Sequence, residues 1–146
     1  MTLARLIASG AGTGLAPFAP GTAASIFAVL IGVGLLLVSP YLLATAALLA
    51  TIAGVWALTH EPVPDDPGWV VIDEFAGQWI ALLGVGSLAP LQVAAAFVLF
   101  RAFDIIKPGP VGWADRQHGV FGIMADDIIA GAMAALVLWG ARLAWG

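Results

Sequence analysis

The fold is decided by residues 22–59, TAASIFAVLIGVGLLLVSPYLLATAALLATIAGVWALT. This stretch holds two apolar runs, 22–38 and 41–59, which are separated by Ser39-Pro40 and carry no formal charge. Each run approaches the roughly 20 residues that an α-helix needs to cross a bilayer. Because a backbone in hydrocarbon must satisfy its own hydrogen bonds, the stretch predicts a helical membrane hairpin with a tight turn at Ser39-Pro40.

The composition of the whole chain also indicates a membrane protein. Of the 146 residues, 62% are hydrophobic and 10% are charged, and the mean hydropathy is +1.04. A soluble domain carries about 25% charged residues, so this chain cannot cover a water-facing surface. The chain has no cysteine, which excludes disulfide scaffolds and thiolate chemistry, and its five basic residues are too few to neutralise a nucleic-acid backbone.

Further apolar segments follow the hairpin. We expect membrane segments at 75–85, 91–106 and 128–145, and a short interfacial helix at 2–9. The segment at 75–85 is so short that it is expected to span only half of the bilayer. The predicted fold is therefore all-α: a polytopic membrane helix bundle of about five segments, forming a single domain over residues 1–146.

The charged residues are gathered on one side of this bundle. All of them except Arg5 and Arg142 fall in two windows, 61–74 and 101–127. If the chain reverses between successive segments, both windows and the N-terminus emerge on the same side. Because every basic residue except Arg142 belongs to that side, the positive-inside rule makes it cytoplasmic. The predicted topology is N-in, C-out.

A glycine-rich loop, GAGTG at residues 10–14, precedes the first long helix, and Thr22 is placed as the N-cap or first residue of that helix. Free N–H groups at the start of a helix can bind an anion. The alternative is that these residues cap and delimit the helix without any ligand.

Two acidic pairs, Asp73-Glu74 and Asp126-Asp127, stand where the chain re-enters an apolar helix. They are either capping charges in a first helical turn or functional groups, since ionisable residues at a membrane edge are costly and usually functional. Four carboxylates that face one pocket would offer the oxygen ligands that suit Mg²⁺. Asp65 is interpreted as part of a solvated loop, and Asp66 is left open between a loop and a site residue.

The helix at 91–106 ends in a charged motif. Arg101, Asp104 and Lys107 are spaced three residues apart, so they share one side of the helix before Pro108 stops it. Arg101 and Asp104 are either an intrahelical ion pair or part of an anion site. Asp115-Arg116 follows, and His118 is interpreted as a loop residue rather than a ligand.

Together these groups indicate a divalent cation and a phosphate. Phosphoryl chemistry depends mainly on positioning and charge neutralisation, and a metal-activated water is the natural nucleophile. With the active groups at the end of a lipid-facing bundle, we expect the substrate to be a lipid phosphate.

The chain resembles the bacterial phosphatidylglycerophosphatase A family in four blocks that occur in the family's order. They are GTGLAPFAPGT at 12–22, VIDEFAGQW at 71–79, FRAFDIIKP at 100–108 continuing to Asp115-Arg116, and GIMADDIIAG at 122–131. The chain departs from the family pattern at Ala24, at Gly109, where the family often has Trp, and at 116–122, which is one residue short. None of these differences removes a carboxylate.

The resemblance implies an Mg²⁺-dependent hydrolysis of phosphatidylglycerophosphate to phosphatidylglycerol and phosphate at the bacterial inner membrane. It also implies the site residues. We expect metal ligands at Asp73, Glu74, Asp126 and Asp127, catalytic groups at Asp104 and Asp127, and substrate-binding groups at Thr22, Arg101, Lys107, Asp115 and Arg116.

Two other functions are weighed. A small proton or cation transporter would also use intramembrane carboxylates, but it would place them near the middle of the bilayer rather than at segment ends. A catalytically silent lipid-binding or assembly protein has no positive signal in the sequence. The sequence leaves a homo-oligomer open.

Overall fold

The chain folds into seven α-helices and no β-strand, and the computed structural model describes every residue from Met1 to Gly146. The helices are α1 (Leu3–Ala8), α2 (Pro20–Val38), α3 (Pro40–His60), α4 (Ile72–Leu82), α5 (Pro90–Ile106), α6 (Pro110–Asp115) and α7 (Gly119–Trp145). A 3-10 turn at Thr13–Leu15 lies between α1 and α2. The predicted all-α class is confirmed.

Three helices, α2, α3 and α7, are long and apolar enough to cross a membrane. Their outward faces expose large apolar side chains such as Leu30, Leu49, Ile52 and Leu136, as expected of surfaces that meet lipid. The predicted count of five spans is not confirmed. Helix α4 has only 11 residues, which at 1.5 Å per residue is about half of the ~30 Å hydrocarbon thickness.

The predicted hairpin of α2 and α3 is confirmed, and its turn is a single residue. Helix α2 ends at Val38 and α3 begins at Pro40, whose fixed φ suits the first position of a helix. Between them Ser39 is extended, and its hydroxyl accepts a hydrogen bond of 3.1 Å from the Tyr41 N–H group. Ser39 is therefore the N-cap of α3.

The short helix α4 is the centre of the bundle. It packs against α2, α3, α5 and α7, and most of its residues are buried, including Asp73 and Gln78. Because α4 is enclosed by protein and not by lipid, it can carry polar residues and need not span the bilayer.

Helix α4 approaches α7 through glycine. A Cβ atom at Gly131 in α7 would overlap the Gly77 carbonyl group, and a Cβ atom at Gly84 would lie 2.6 Å from the Ala135 carbonyl oxygen. Small residues allow two helix backbones to approach closely. The contacts advance together along both helices, so α4 and α7 run parallel.

The two ends of the bundle differ in polarity. The first turn of α2 meets the first turn of α4 and the last turns of α5, since Gly21 lies beside Glu74 and Arg101. Lys107, which follows α5, contacts Asp126 in α7. At the opposite end Gly86 lies beside Arg142. The prediction that both charged windows emerge at one end is confirmed.

The structure corrects two predicted boundaries and adds the short helix α6. Helix α7 begins at Gly119 and not at residue 128. Thr22 is neither the N-cap nor the first residue of α2, because the N-cap is Ala19 and Pro20 is the first helical residue. The late start expected for α7 arose because its acidic pair was taken as a helix boundary.

The glycine contact between α4 and α7 generates a stability prediction. A Cβ atom at Gly77 would lie 2.5 Å from both the Asp127 carbonyl oxygen and a Phe100 ring carbon. Gly77→Ala should therefore lower the free energy of unfolding by about 1–3 kcal/mol through overpacking. Thermal unfolding in detergent measures the effect.

The matched control is Gly34→Ala, since nothing lies within 4 Å of a Cβ atom built at Gly34 in α2. This variant should be neutral or gain about 0.5–1 kcal/mol, because glycine is a poor residue for a helix interior. Equal effects of the two substitutions would contradict the close contact.

Candidate active site

Carboxylates from three helices converge at the charged end of the bundle. They are Asp73 and Glu74 from α4, Asp104 from α5, and Asp126 and Asp127 from α7. One oxygen each of Asp73, Asp126 and Asp127 lie within 4.8 Å of one another, and the same holds for Glu74, Asp104 and Asp127. Because Asp127 belongs to both groups, the five carboxylates form one centre, called the acidic centre below.

The two acidic pairs reach this centre from different helical positions. Asp73 and Glu74 lie in the first turn of α4, as predicted. Asp126 and Asp127 lie about two turns inside α7, so the interpretation of this pair as N-terminal capping charges is wrong. Asp126 and Asp127 are each only 2% exposed. Burying carboxylates this far from water is costly unless charged or hydrogen-bonding partners are present.

Part of the acidic centre has no protein partner. Glu74 Oε2 and Asp127 Oδ2 are buried and accept no hydrogen bond. Carboxylate oxygens that converge without donors fit a hard divalent cation, which takes several oxygen ligands at close range. The donor set is therefore suitable for a metal ion.

Arg101 links the acidic centre to helix α2. Its Nη1 donates to Asp104 Oδ2 in an ion pair, and its Nη2 donates to Thr22 Oγ1 over 3.4 Å. The predicted intrahelical pair of Arg101 and Asp104 is present. The Arg101 Nε atom is buried without a partner, so its N–H group remains available to donate a hydrogen bond.

Lys107 is the second cation at the acidic centre. Its Nζ lies 2.9 Å from Asp126 Oδ2, 3.1 Å from Asp115 Oδ1 and 3.9 Å from Asp104 Oδ1. Burial lowers the pKa of the Lys107 ammonium, but the hydrogen bond and charge of Asp126, with Asp115 and Asp104, raise it more. The net result is a pKa above the usual lysine value.

The backbone at Lys107 is left-handed, with φ 55° and ψ 55°. Glycine usually occupies this position after a helix, and another residue costs about 1–2 kcal/mol there. The lysine is retained despite this cost, and the turn directs its ammonium group to carboxylates from three different segments. Its position is consistent with a role in the site.

Two of the predicted substrate-binding residues lie apart from the acidic centre. Asp115 contacts it only through Lys107. Arg116, which follows α6, is exposed and makes no ion pair or side-chain hydrogen bond. His118 is an exposed N-cap residue of α7, in agreement with its interpretation as a loop residue.

The glycine loop does not offer an anion site of its own. Each backbone N–H group from Gly10 to Ala16 donates to a carbonyl oxygen within residues 6–13. The loop instead allows close packing: a Cβ atom at Gly14 would overlap the Trp69 carbonyl group, and one at Gly10 would lie 2.6 Å from the Phe75 ring. The loop therefore fits the alternative interpretation, in which its residues delimit the helix without binding a ligand.

Asp66 is a further acidic residue near the centre, and the sequence left its role open. The residue is exposed, but the surrounding protein partly desolvates its carboxyl group. This desolvation, together with the negative charges of Asp126 and Glu74, raises the pKa of Asp66 to about 7. Asp66 also lines a polar cavity of about 160 Å³ together with Asp115 and His118. Asp65 lines the same cavity, and nothing in the sequence distinguishes Asp66 from it.

The fold and the site together define a class of protein: a helical bundle with membrane-spanning character and a buried acidic centre at one end. The chain belongs to the phosphatidylglycerophosphatase A family, whose family model matches residues 6–142. The expectation drawn from the four sequence blocks is confirmed. No solved structure matches the chain.

Individual relatives cover nearly the whole chain. A phosphatidylglycerophosphatase A of Escherichia coli K12 is 40% identical over 139 residues, covering 92% of this chain and 80% of the relative. The Haemophilus influenzae protein of the same name is 39% identical, covering 92% and 85%. A Bacteroides thetaiotaomicron protein, provisionally named a phosphatidylinositol-3-phosphatase, is 42% identical, covering 94% and 92%.

The environment of Asp66 generates a pH prediction. Because its pKa in the folded protein lies above the ordinary value of 3.8, Asp66 contributes stability at low pH that is lost as the pH rises through about 7. In EDTA, the thermal midpoint should fall between pH 5 and pH 8, and Asp66→Asn should make this fall smaller. Asp65→Asn is the control and should retain the full decrease; an unchanged decrease in Asp66→Asn would contradict the assignment.

Proposed function

We propose that this protein hydrolyses the phosphomonoester of phosphatidylglycerophosphate, giving phosphatidylglycerol and inorganic phosphate, and that it depends on Mg²⁺. One observation carries the proposal: the acidic centre is buried, leaves carboxylate oxygens without partners, and stands beside two cationic side chains. The family to which the chain belongs supplies the reaction and the substrate.

The acidic centre supports the choice of a hard cation. Asp73, Glu74, Asp126 and Asp127 would hold Mg²⁺, since their oxygens converge and the chain has no thiolate. A divalent cation held there supplies charge neutralisation of the phosphoryl group and makes a water molecule more acidic.

Asp104 is proposed as the base that orients the attacking water and takes its proton. Arg101 fixes one of its oxygens, and the Asp104 carboxylate lies in the same group as Glu74 and Asp127. The water oxygen forms a bond to phosphorus as the bond from phosphorus to the ester oxygen breaks. The ester oxygen takes up a proton, which the protonated Asp104 returns directly or through water, and leaves as the free hydroxyl group of phosphatidylglycerol.

The phosphate-binding role is proposed for Arg101 and Lys107, with Thr22 fixing the Arg101 guanidinium group. Arg101 retains a buried Nε without a partner, and Lys107 lies between carboxylates of three segments. Asp115 holds Lys107 in place. Arg116, exposed after α6, would contact only the outer part of a headgroup.

The proposed location is the bacterial inner membrane, with residues 1–146 as a single membrane-embedded domain. The basic side chains gather at the same end of the bundle as the acidic centre, while Arg142 lies at the other end. By the positive-inside rule this end is cytoplasmic, with the N-terminus inside and the C-terminus outside. A lipid substrate would place its acyl chains beside the bundle and its phosphate at the interface.

The headgroup is the part of the substrate on which the relatives' names differ. Two of them are named for phosphatidylglycerophosphate and one for phosphatidylinositol 3-phosphate. Both compounds are phosphomonoesters on a hydroxyl-bearing lipid headgroup. We propose phosphatidylglycerophosphate as the substrate, and phosphatidylinositol 3-phosphate is the alternative substrate in the test below.

The first experiment is phosphate release by the purified protein in mixed micelles. With Mg²⁺ the protein should hydrolyse phosphatidylglycerophosphate faster than phosphatidylinositol 3-phosphate, and EDTA should abolish turnover until Mg²⁺ is restored. Full turnover in EDTA would overturn the metal dependence. A lack of hydrolysis with both lipids, together with cation flux in proteoliposomes, would favour a transporter.

The second experiment tests the metal ligands. Asp127→Asn should weaken Mn²⁺ binding, measured by electron paramagnetic resonance, by at least about tenfold, because Asp127 belongs to both carboxylate groups. Asp65→Asn, the same chemical change at an exposed residue, should leave binding within about twofold. Wild-type affinity in Asp127→Asn would show that the acidic centre is not the metal site.

A further inference from the structure

Gln78 carries an unusual polar group that has no role in the reaction proposed above. Its side chain is fully buried, and neither its amide oxygen nor its amide nitrogen has a hydrogen-bond partner. A buried amide without partners is destabilising, because it has given up its hydrogen bonds to water and gained none in the protein. An apolar side chain of similar size would avoid this cost, so the amide indicates a ligand that the folded chain does not itself provide.

The position of Gln78 on α4 brings it under the acidic centre. It follows Glu74 by four residues, so the two side chains lie on the same face of the helix. Helical side chains lean toward the N-terminus of their helix, which directs the Gln78 amide back toward Glu74. The amide therefore lies at the membrane-side floor of the site.

Ser25 occupies the corresponding position on α2. It follows Gly21 by one turn, and Gly21 lies beside Glu74. Ser25 is also fully buried, and its hydroxyl group has no partner. Since the first turns of α2 and α4 are adjacent and the helices run in the same direction, Ser25 and Gln78 lie at the same depth.

The buried side-chain atoms without partners divide into two chemical kinds. Glu74 Oε2, Asp127 Oδ2 and Gln78 Oε1 accept hydrogen bonds only, whereas Arg101 Nε and Gln78 Nε2 donate only, and the Ser25 hydroxyl can do either. Acceptors without donors fit a cation, and donors without acceptors fit an anion. A divalent cation together with a phosphoryl group would satisfy both kinds at once.

We propose that Gln78 and Ser25 bind the phosphoryl group of the substrate, with the Gln78 amide N–H and the Ser25 hydroxyl donating to its oxygens. The proposal rests on the phosphatase function proposed above and adds two uncharged donors to the site. Such donors bind a phosphoryl oxygen without adding charge to the interior of the bundle.

The test is the affinity for inorganic phosphate in the presence of Mg²⁺, measured through the rise of the thermal midpoint with phosphate concentration in detergent. Gln78→Met should weaken phosphate binding by roughly tenfold or more, since a hydrogen bond to a charged group is lost. Without phosphate its thermal midpoint should equal or exceed that of the wild type. Ser25→Ala, a smaller change, should weaken phosphate binding severalfold. It tests the same part of the site even if Gln78→Met does not fold.

The matched control is Gln92→Met at the other end of the bundle. Gln92 Oε1 accepts hydrogen bonds from the backbone N–H groups of Gly86 and Ser87 at 2.7 and 3.1 Å. Its replacement should lower the thermal midpoint and leave phosphate affinity unchanged. This pattern is the reverse of that expected for Gln78→Met.

Unchanged phosphate affinity in both Gln78→Met and Ser25→Ala would overturn the proposal and leave the two groups a structural role. The phosphatase proposal fails separately, if the wild type binds phosphate but hydrolyses neither lipid. Weakened phosphate binding together with a proportionate loss of kcat/KM on phosphatidylglycerophosphate would support both proposals.

Discussion

Gly77 in α4 and Gly131 in α7 face each other so closely that the two helices meet backbone to backbone. This contact fixes the distance and the register of α4 and α7, and with them the placement of Asp73 against Asp127. A larger residue at either glycine would push the two helices apart and with them the carboxylate oxygens, which converge within 4.8 Å of one another. The acidic centre therefore depends on the absence of two side chains.

The buried polar residues of the bundle lower its stability. Asp73, Asp126 and Asp127 are nearly without solvent contact, and Lys107 adopts a left-handed backbone that glycine would adopt more easily. Each feature is unfavourable for folding alone. Their concentration at one end of an otherwise apolar bundle agrees with the view that proteins give up stability at functional sites. Gln78 and Ser25 extend this pattern one turn deeper.

Much of the fold and site follows from local sequence. The charge-free runs and Ser39-Pro40 predicted the α2–α3 hairpin, and the four family blocks predicted the carboxylates that the structure brings together. The start of α7 was predicted too late because a local pattern treats an acidic pair as a helix boundary. In the fold, Asp126 and Asp127 are surrounded by α4, α5 and Lys107, so the helix continues through them.

The sequence by itself determined that the chain is helical and apolar enough to cross a membrane, since 10% charged residues cannot cover a soluble surface. It also determined which residues are available for chemistry, because those few charges lie in two windows. Only the tertiary structure decided which of them meet: the carboxylates of α4, α5 and α7 converge while Arg116 remains exposed, and Gln78 is buried without a partner. The reason is physical. Hydropathy and charge act locally along the chain, whereas the approach of two side chains depends on how helices distant in sequence pack together.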